Sequence, residues 1–323
     1  MGERIERSAI IPGTQTGRRL DRALAAVFPQ YSRSRLQAWL KSGAITVDGV
    51  APRAKDAVRG GEQVRLRVTL ENEGAVAPEP IALRIVHEDE TLLVIDKPPS
   101  LIVHPGAGHP GGTLQNALLH YDPRLAVLPR AGIVHRLDRG TSGLLVVARD
   151  LTAHKRLVEQ LQARSVGREY LVLVSAAVTS GGRVEAAIGR HRRERTRMAV
   201  RPDGRAAVTH YRLEERFTAH TLLRCMLETG RTHQIRVHMA WLRQPVVGDP
   251  VYGGRIRLPK AASEEVIAAL SGFGRQALHA ARLGLVHPAT GEAVSWQSPL
   301  PADFAYLLEV LRHHREGQEL THV

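Results

Sequence analysis

Residues 135–149 read HRLDRGTSGLLVVAR. One carboxylate, Asp138, stands between Arg136 and Arg139, ahead of glycines, hydroxyls and an apolar run. An acid of this kind in a surface loop would be an ordinary ion pair that contributes little. Three features point to chemistry instead. The run LLVVA reads as a buried strand, which puts Asp138 at the edge of a core. Gly140, Thr141, Ser142 and Gly143 allow a tight turn and supply hydroxyl and amide donors. Cations on both sides favour the ionised acid even where solvent is largely excluded. A desolvated but charged carboxylate is competent as a nucleophile or a base.

Other chemistries find weaker support. GAGHPG at 106–111 fits the dinucleotide pattern G-x-G-x-x-G, but a proline lies inside it and no acid follows at the distance a ribose contact needs. There is no phosphate-binding G-x-x-x-x-G-K-[ST] loop. His233 and His238 are five apart, which does not stack two metal ligands on one helical face. Cys225 is the only cysteine, so neither a disulfide nor a cysteine-based metal site can form within the chain. Aromatic residues are 4% of the chain, too few for a protein that stacks many unpaired bases.

The charge balance points to a polyanion. Net charge is +13, and only five of the 45 cations are lysines. A GC-rich genome accounts for the arginine-to-lysine ratio but not for where the charge lies. Residues 18–68 hold 11 Lys and Arg against 4 acids, and residues 189–205 hold 7 Arg against 2. Twelve of the thirteen excess charges therefore sit in two short stretches. No apolar run approaches the ~18 residues of a membrane span, and MGERIERSAI lacks a signal-peptide core. A soluble, cytoplasmic protein is expected.

The elements that must position Asp138 follow from periodicity. At 323 residues two domains are the default. Residues 1–17 read as a tail. Leu20, Leu24 and Val27 share one helical face; Ser32 is an N-cap for a second helix carrying Leu36, Trp39 and Leu40, and Gly43 suits its end. Strands at Ile45–Val47 and 63–68 complete a compact α+β unit over 18–70. Arg18, Arg19, Arg33, Arg35 and Lys41 lie on or beside its helices, with few acids to balance them. Residues 71–80, ENEGAVAPEP, read as a linker. From 81 to 323, short strand-like runs alternate with amphipathic helices at 113–120, 151–164, 231–243, 262–271 and 302–315. Strands 207–214 and 219–227 are joined by a hairpin-length turn. The fold class is α+β, a large mixed and mainly antiparallel sheet flanked by helices, not a doubly wound parallel one. With no long coiled-coil pattern, a monomer is expected.

SRSRLQAWLKSGAITVDG, at 32–49, resembles the S4 RNA-binding module. The second domain resembles the RluA-type pseudouridine synthases through five stretches. They are KPPSLIVHPGAGHPGGTLQNALLHY at 97–121, HRLDRGTSGLLVVAR at 135–149, REYLVLV at 168–174, LETGRTHQIRVHMAWLRQPVVGDPVYGG at 227–254 and RQALHAARLGLVHPATGE at 275–292. Together the two resemblances span nearly the whole chain.

The resemblance implies the following roles. Asp138 matches the catalytic aspartate, and Arg236 the arginine that pairs with it. Tyr170, which on periodicity alone is a core strand residue, matches a tyrosine that packs against the target base. Arg136 matches an arginine that helps fill the space left by the extruded nucleotide, and Leu278 an apolar wall of the base pocket. The implied reaction breaks the N1–C1′ bond of a uridine, turns the uracil over and joins C5 to C1′. It needs no metal, nucleotide cofactor or redox thiol. Asp138 could attack C1′, attack C6, or remove the C2′ proton. The implied partner is 23S ribosomal RNA of the large subunit or its precursor, with the helix 69 stem-loop as the first candidate and another large-subunit site as the alternative. Two rivals remain open: a non-catalytic ribosome-assembly factor that binds RNA through the S4-like unit, and a metal-dependent nuclease.

Overall fold

The computed structural model describes residues 4–69, 76–106, 109–194 and 196–320. Half of the expected linker, residues 71–75, lies outside them, as do Ala107 and Gly108 of the glycine-rich run.

The N-terminal unit has its own core. α1 (Leu20–Val27) and α2 (Arg33–Lys41) pack on a three-stranded antiparallel sheet of β1 (Arg4–Ile10), β2 (Ile45–Val47) and β3 (Gln63–Thr69), ordered β1-β3-β2. Leu20, Leu24, Leu36, Trp39, Ile45, Val64 and Leu66 close this core. The Ser32 side chain caps α2 by accepting the Arg35 amide at 3.3 Å, and Gly43 ends the helix at φ +76°. One expectation is corrected here: residues 4–10 are a strand paired along β3, and Ile11 is fully buried. The charged RIERSAI run suits an edge strand, whose outer side faces water.

The larger domain is built on a nine-stranded sheet, and its sequence order is not its spatial order. β4 (Ile85–Glu88), β5 (Leu92–Lys97) and β6 (Ser142–Ala148) form one side. β7 (Gly167–Val174), β8 (Gly182–Glu185), β11 (Val208–Arg216) and β12 (Thr221–Leu227) form the other. β13 (Leu278–Val286) lies between them, giving the order β4-β5-β6-β13-β7-β12-β11-β8, and β14 (Ala293–Gln297) pairs with β13. A separate hairpin joins β9 (Ile188–Arg190) to β10 (Met198–Val200). Every ladder among the described residues is antiparallel except β6 with β13, so the mixed, mainly antiparallel sheet is as expected.

β5 and β6 are buried on both faces, and their alternating side chains feed two cores. Leu93, Ile95, Leu145 and Val147 enter the main one; Leu92, Val94, Leu144 and Val146 enter the one under α4 (Leu151–Gln162). Four helices complete the domain: α3 (Leu114–Tyr121), α5 (Gln234–Trp241), α6 (Glu264–Gly272) and α7 (Ala302–Leu320). α5 is shorter than the periodicity of 231–243 predicts, because Gln234 turns the preceding residues into a loop. No helix among the described residues is long and apolar enough to cross a membrane.

Candidate active site

Asp138 opens a turn in which the Thr141 amide donates to its carbonyl at 3.1 Å. Gly140, the third residue, has φ +86°, as a type II turn requires. Three other segments fix that turn. The Gly140 amide donates to the Pro99 carbonyl at 2.8 Å, Arg275 donates to the Gly140 carbonyl at 2.9 Å, and the buried Gln276 amide donates to the Arg139 carbonyl at 2.7 Å. The acid is thus held on a rigid corner between β5, β6 and β13. Its side chain is only 14% exposed.

Its partner arrives on α5. Gln234, at the helix start, accepts from the Thr229 hydroxyl at 2.8 Å and the Arg231 amide at 3.0 Å, and donates to the Val208 carbonyl at 2.9 Å. That pins the helix to β11 and turns the next-but-one side chain, Arg236, inward. Arg236 donates to Asp138 at 3.1 Å and makes two further bonds, of 2.7 and 2.9 Å, to Asp249. Burial works against the charge on Arg236, yet Asp249 first and Asp138 second hold the guanidinium above its ordinary range. Burial likewise pushes the Asp249 carboxyl up; Arg236 and the amides of Tyr252 and Val251 outweigh it and hold the acid below the usual carboxylate range.

Around this ion pair lies an open groove of about 620 Å³. Arg136, Asp138, Tyr170, Arg236 and Leu278 all line it, so the five residues expected at the site, drawn from four separate segments, meet in one place. Tyr170 on β7 and Leu278 on β13 are buried walls, and Arg136 is exposed at the mouth.

The basic residues of the S4-like unit lie apart from the groove, and the structure amends their reading. Asp21, whose side chain is fully buried, receives bonds from Arg19, Arg33 and Gln37, the Arg33 contact being 2.7 Å. Burial pushes the Asp21 carboxyl up, but Arg33, Gln37 and Arg19 bring it down to about 2. Two of the five candidate RNA contacts are therefore partly neutralised from within. Arg35 reaches the Val127 carbonyl of the other domain at 3.3 Å and packs over Trp39, so it serves the junction. Arg18 and Lys41 remain exposed.

Sequence reasoning passed over Asp249 and Tyr252, and weighed His233 only as a metal ligand, yet all three shape the site. Asp249 and Tyr252 lie in GDPVYGG and His233 in GRTHQIR, within stretches singled out for other members. His233 begins α5 in the left-handed region at φ +58°. Its Nε2 is 3.9 Å from Asp138, too far for a hydrogen bond, and its Nδ1 lies 2.9 Å from the Tyr252 hydroxyl. Burial holds this imidazole below its ordinary range against the pull of Asp138. The Tyr252 hydroxyl also accepts the Met198 amide at 2.9 Å, and its ring stacks against Arg236 and Arg197. The arginine-rich stretch thus overlaps the β9–β10 hairpin, with Arg190 on β9 and Arg197 over the Tyr252 ring beside the ion pair. Beneath the Asp138 turn, Lys97 is fully buried and donates to the carbonyls of Pro98 and Leu101 at 2.9 and 2.8 Å. Among the described residues no group of three or more His, Cys, Asp or Glu is placed to hold a metal ion.

An S4-type module ahead of a mixed sheet, with an arginine-held aspartate in a basic groove, defines an RNA-modifying enzyme of the pseudouridine synthase type. The family model described as RNA pseudouridylate synthase matches residues 91–241, and the S4 domain model matches residues 18–64. The chain belongs to the RNA pseudouridylate synthase family, whose members are isomerases. It is 56% identical to the protein named Ribosomal large subunit pseudouridine synthase D of Xanthomonas campestris, over 95% of this chain and 92% of that one. It is 55% identical to the protein of the same name from Pseudomonas aeruginosa, over 98% and 99% of the two chains. The Escherichia coli K12 protein of that name is 53% identical over 97% and 96%. Among solved structures, human RNA Pseudouridylate Synthase Domain Containing 4 matches with a TM-score of 0.56 at 27% identity, covering 71% of this chain and 93% of its own.

Proposed function

We propose that this chain converts uridine to pseudouridine in 23S ribosomal RNA of the large subunit, with Asp138 as the reacting carboxylate and the helix 69 stem-loop as its target. The observation that carries the reading is the Arg236–Asp138 contact of 3.1 Å at the wall of a groove that Tyr170 and Leu278 also line. The names of the relatives support the choice of large-subunit RNA.

The target nucleotide must leave its stack, since neither C1′ nor the base edge is reachable within it. Extrusion costs a few kcal/mol, which phosphate contacts to the basic surfaces offset. Arg136, exposed at the groove mouth, takes the vacated position in this reading. Tyr170 and Leu278 give the uracil an apolar seat against which it can turn. Attack at C1′, attack at C6 and removal of the C2′ proton all use a charged carboxylate held still, and Arg236 fixes the Asp138 side chain in one orientation. The bond from N1 to C1′ breaks and one from C5 to C1′ forms; the C5 proton passes to solvent and N1 takes one up, so the product is an isomer of the substrate.

Asp138→Asn removes the charge with little change of shape. The variant is expected to fold and bind RNA but to release no tritium from RNA labelled at uracil C5; normal release would refute the assignment. Mapping pseudouridines in ribosomal RNA from a strain lacking the gene tests the target. Loss confined to helix 69 is the expected result, and loss elsewhere in 23S RNA would move the target but keep the chemistry.

A further inference from the structure

Arg168 lies two positions before Tyr170 on β7, so the period of the strand puts both side chains on one face, and both line the groove. It is 8% exposed, and its Nε is buried with no hydrogen-bond partner. Its Nη1 rests against the backbone of Gly230, where an added Cβ would come within 2.8 Å of it. A side chain at position 230 would push the guanidinium aside. The acids nearby are taken. Glu228 is held by Arg164 at 3.2 Å and by His210 at 2.7 Å, Glu169 by Arg224 and Arg282 on the other face of the sheet, and Asp138 by Arg236. Among the described residues Arg168 has no ion-pair partner. A cation nine-tenths buried without a counter-charge is unfavourable unless a ligand supplies one.

We infer that Arg168 binds a phosphodiester flanking the target uridine and anchors the sugar–phosphate while the base turns over. The inference rests on the uridine-isomerising reading. A guanidinium matches a phosphodiester in charge and in its two-point geometry. The exposed Arg130, Arg136 and Arg164 continue the positive track along the same groove. The reaction itself separates the alternatives. The uracil must rotate to offer C5 in place of N1, so a grip on its carbonyls would have to break midway. A grip on the phosphate holds through every step, because the sugar keeps its place.

The test uses the full chain and a helix 69 stem-loop RNA tritiated at uracil C5. It is made in three forms: native, and with a neutral methylphosphonate on either the 5′ or the 3′ side of the target uridine. One charge-assisted contact corresponds to roughly 10- to 100-fold. The wild type is expected to lose that much in kcat/KM on one of the two methylphosphonate RNAs. Arg168→Gln should lose as much on native RNA and nothing more on that methylphosphonate RNA, and Arg168→Lys should recover part of the native rate. An undiminished methylphosphonate penalty in Arg168→Gln would overturn the inference. So would a wild type insensitive to both substitutions, a result that needs no variant to fold. No tritium release by the wild type from native RNA would instead undo the function on which the inference rests.

Discussion

Asp249 holds Arg236 through two parallel hydrogen bonds of 2.7 and 2.9 Å, leaving one nitrogen for Asp138. The orientation of the guanidinium is therefore set by an acid that does not line the groove. Asp249 in turn accepts the amides of Val251 and Tyr252, so the ion pair is anchored to backbone.

Asp249→Asn leaves a buried guanidinium with half its support. Removing one partner of such a pair costs about 3–5 kcal/mol. Urea denaturation should show a loss of that order, and tritium release should show a lower kcat with KM little changed. Unaltered stability and kcat would mean that Asp138 alone suffices to hold Arg236.

Lys97 predicts a pH dependence. Burial lowers its pKa from 10.5 to about 7; Asp138 and Asp96 oppose that fall, and Arg275 adds to it. Between these values the unfolded chain carries a proton that the folded chain has lost, so stability rises with pH from 7 towards 10. The limiting slope is about 1.4 kcal/mol per pH unit. Denaturation of wild type and Lys97→Met at pH 7, 8, 9 and 10 isolates the effect. The stability of the wild type should climb relative to the variant, and parallel curves would show that Lys97 stays charged in the folded chain.

Gly143 lies one residue into β6, at φ +107°, and a Cβ there would come within 2.3 Å of the Ala280 carbonyl. Gly143→Ala therefore forces strand β13 away just behind the Asp138 turn. A loss of roughly 3 kcal/mol or more is expected, read as a fall in Tm, with activity lost in proportion to the folded fraction that remains. A Tm within a degree of wild type would refute the close approach.

On the S4-type unit, Lys41→Ala and Arg18→Ala should each weaken RNA binding and reduce the slope of log K against log salt by about 0.7–0.9. Arg33→Ala should instead lower stability, since it exposes the buried Asp21 carboxylate to the loss of its shortest arginine contact. Filter binding across a salt series, together with thermal melts, separates the two behaviours. A full salt slope in Lys41→Ala would take that residue off the RNA surface.

What the sequence reveals divides along physical lines. Asp138 stands out because a lone acid between two arginines heads an unbroken apolar run, whereas Arg236, one of forty arginines, is singled out only by the family resemblance. β1 is not legible: RIERSAI pairs on one side only, so nothing forces an apolar alternation. β13 is hard to see as a strand because Ala280, Ala281 and Arg282 interrupt its apolar pattern at the bulge where it shifts register on β7. The tie of Arg33 to Asp21 is invisible in the charge balance, which counts acids but does not say which cation each one takes. Asp249 and Tyr252 matter through distances to residues far away in the chain, and distance is what a linear pattern omits.

The central place of β13 governs when this enzyme can exist during its synthesis. Until residues 275–286 have been translated, the strands on either side have been made but each half is left with an open edge. The Asp138 turn then lacks Arg275 and Gln276 to hold it. A growing chain emerging from a translating ribosome thus carries Asp138 without the frame that positions it, and the groove is completed only when translation is nearly finished.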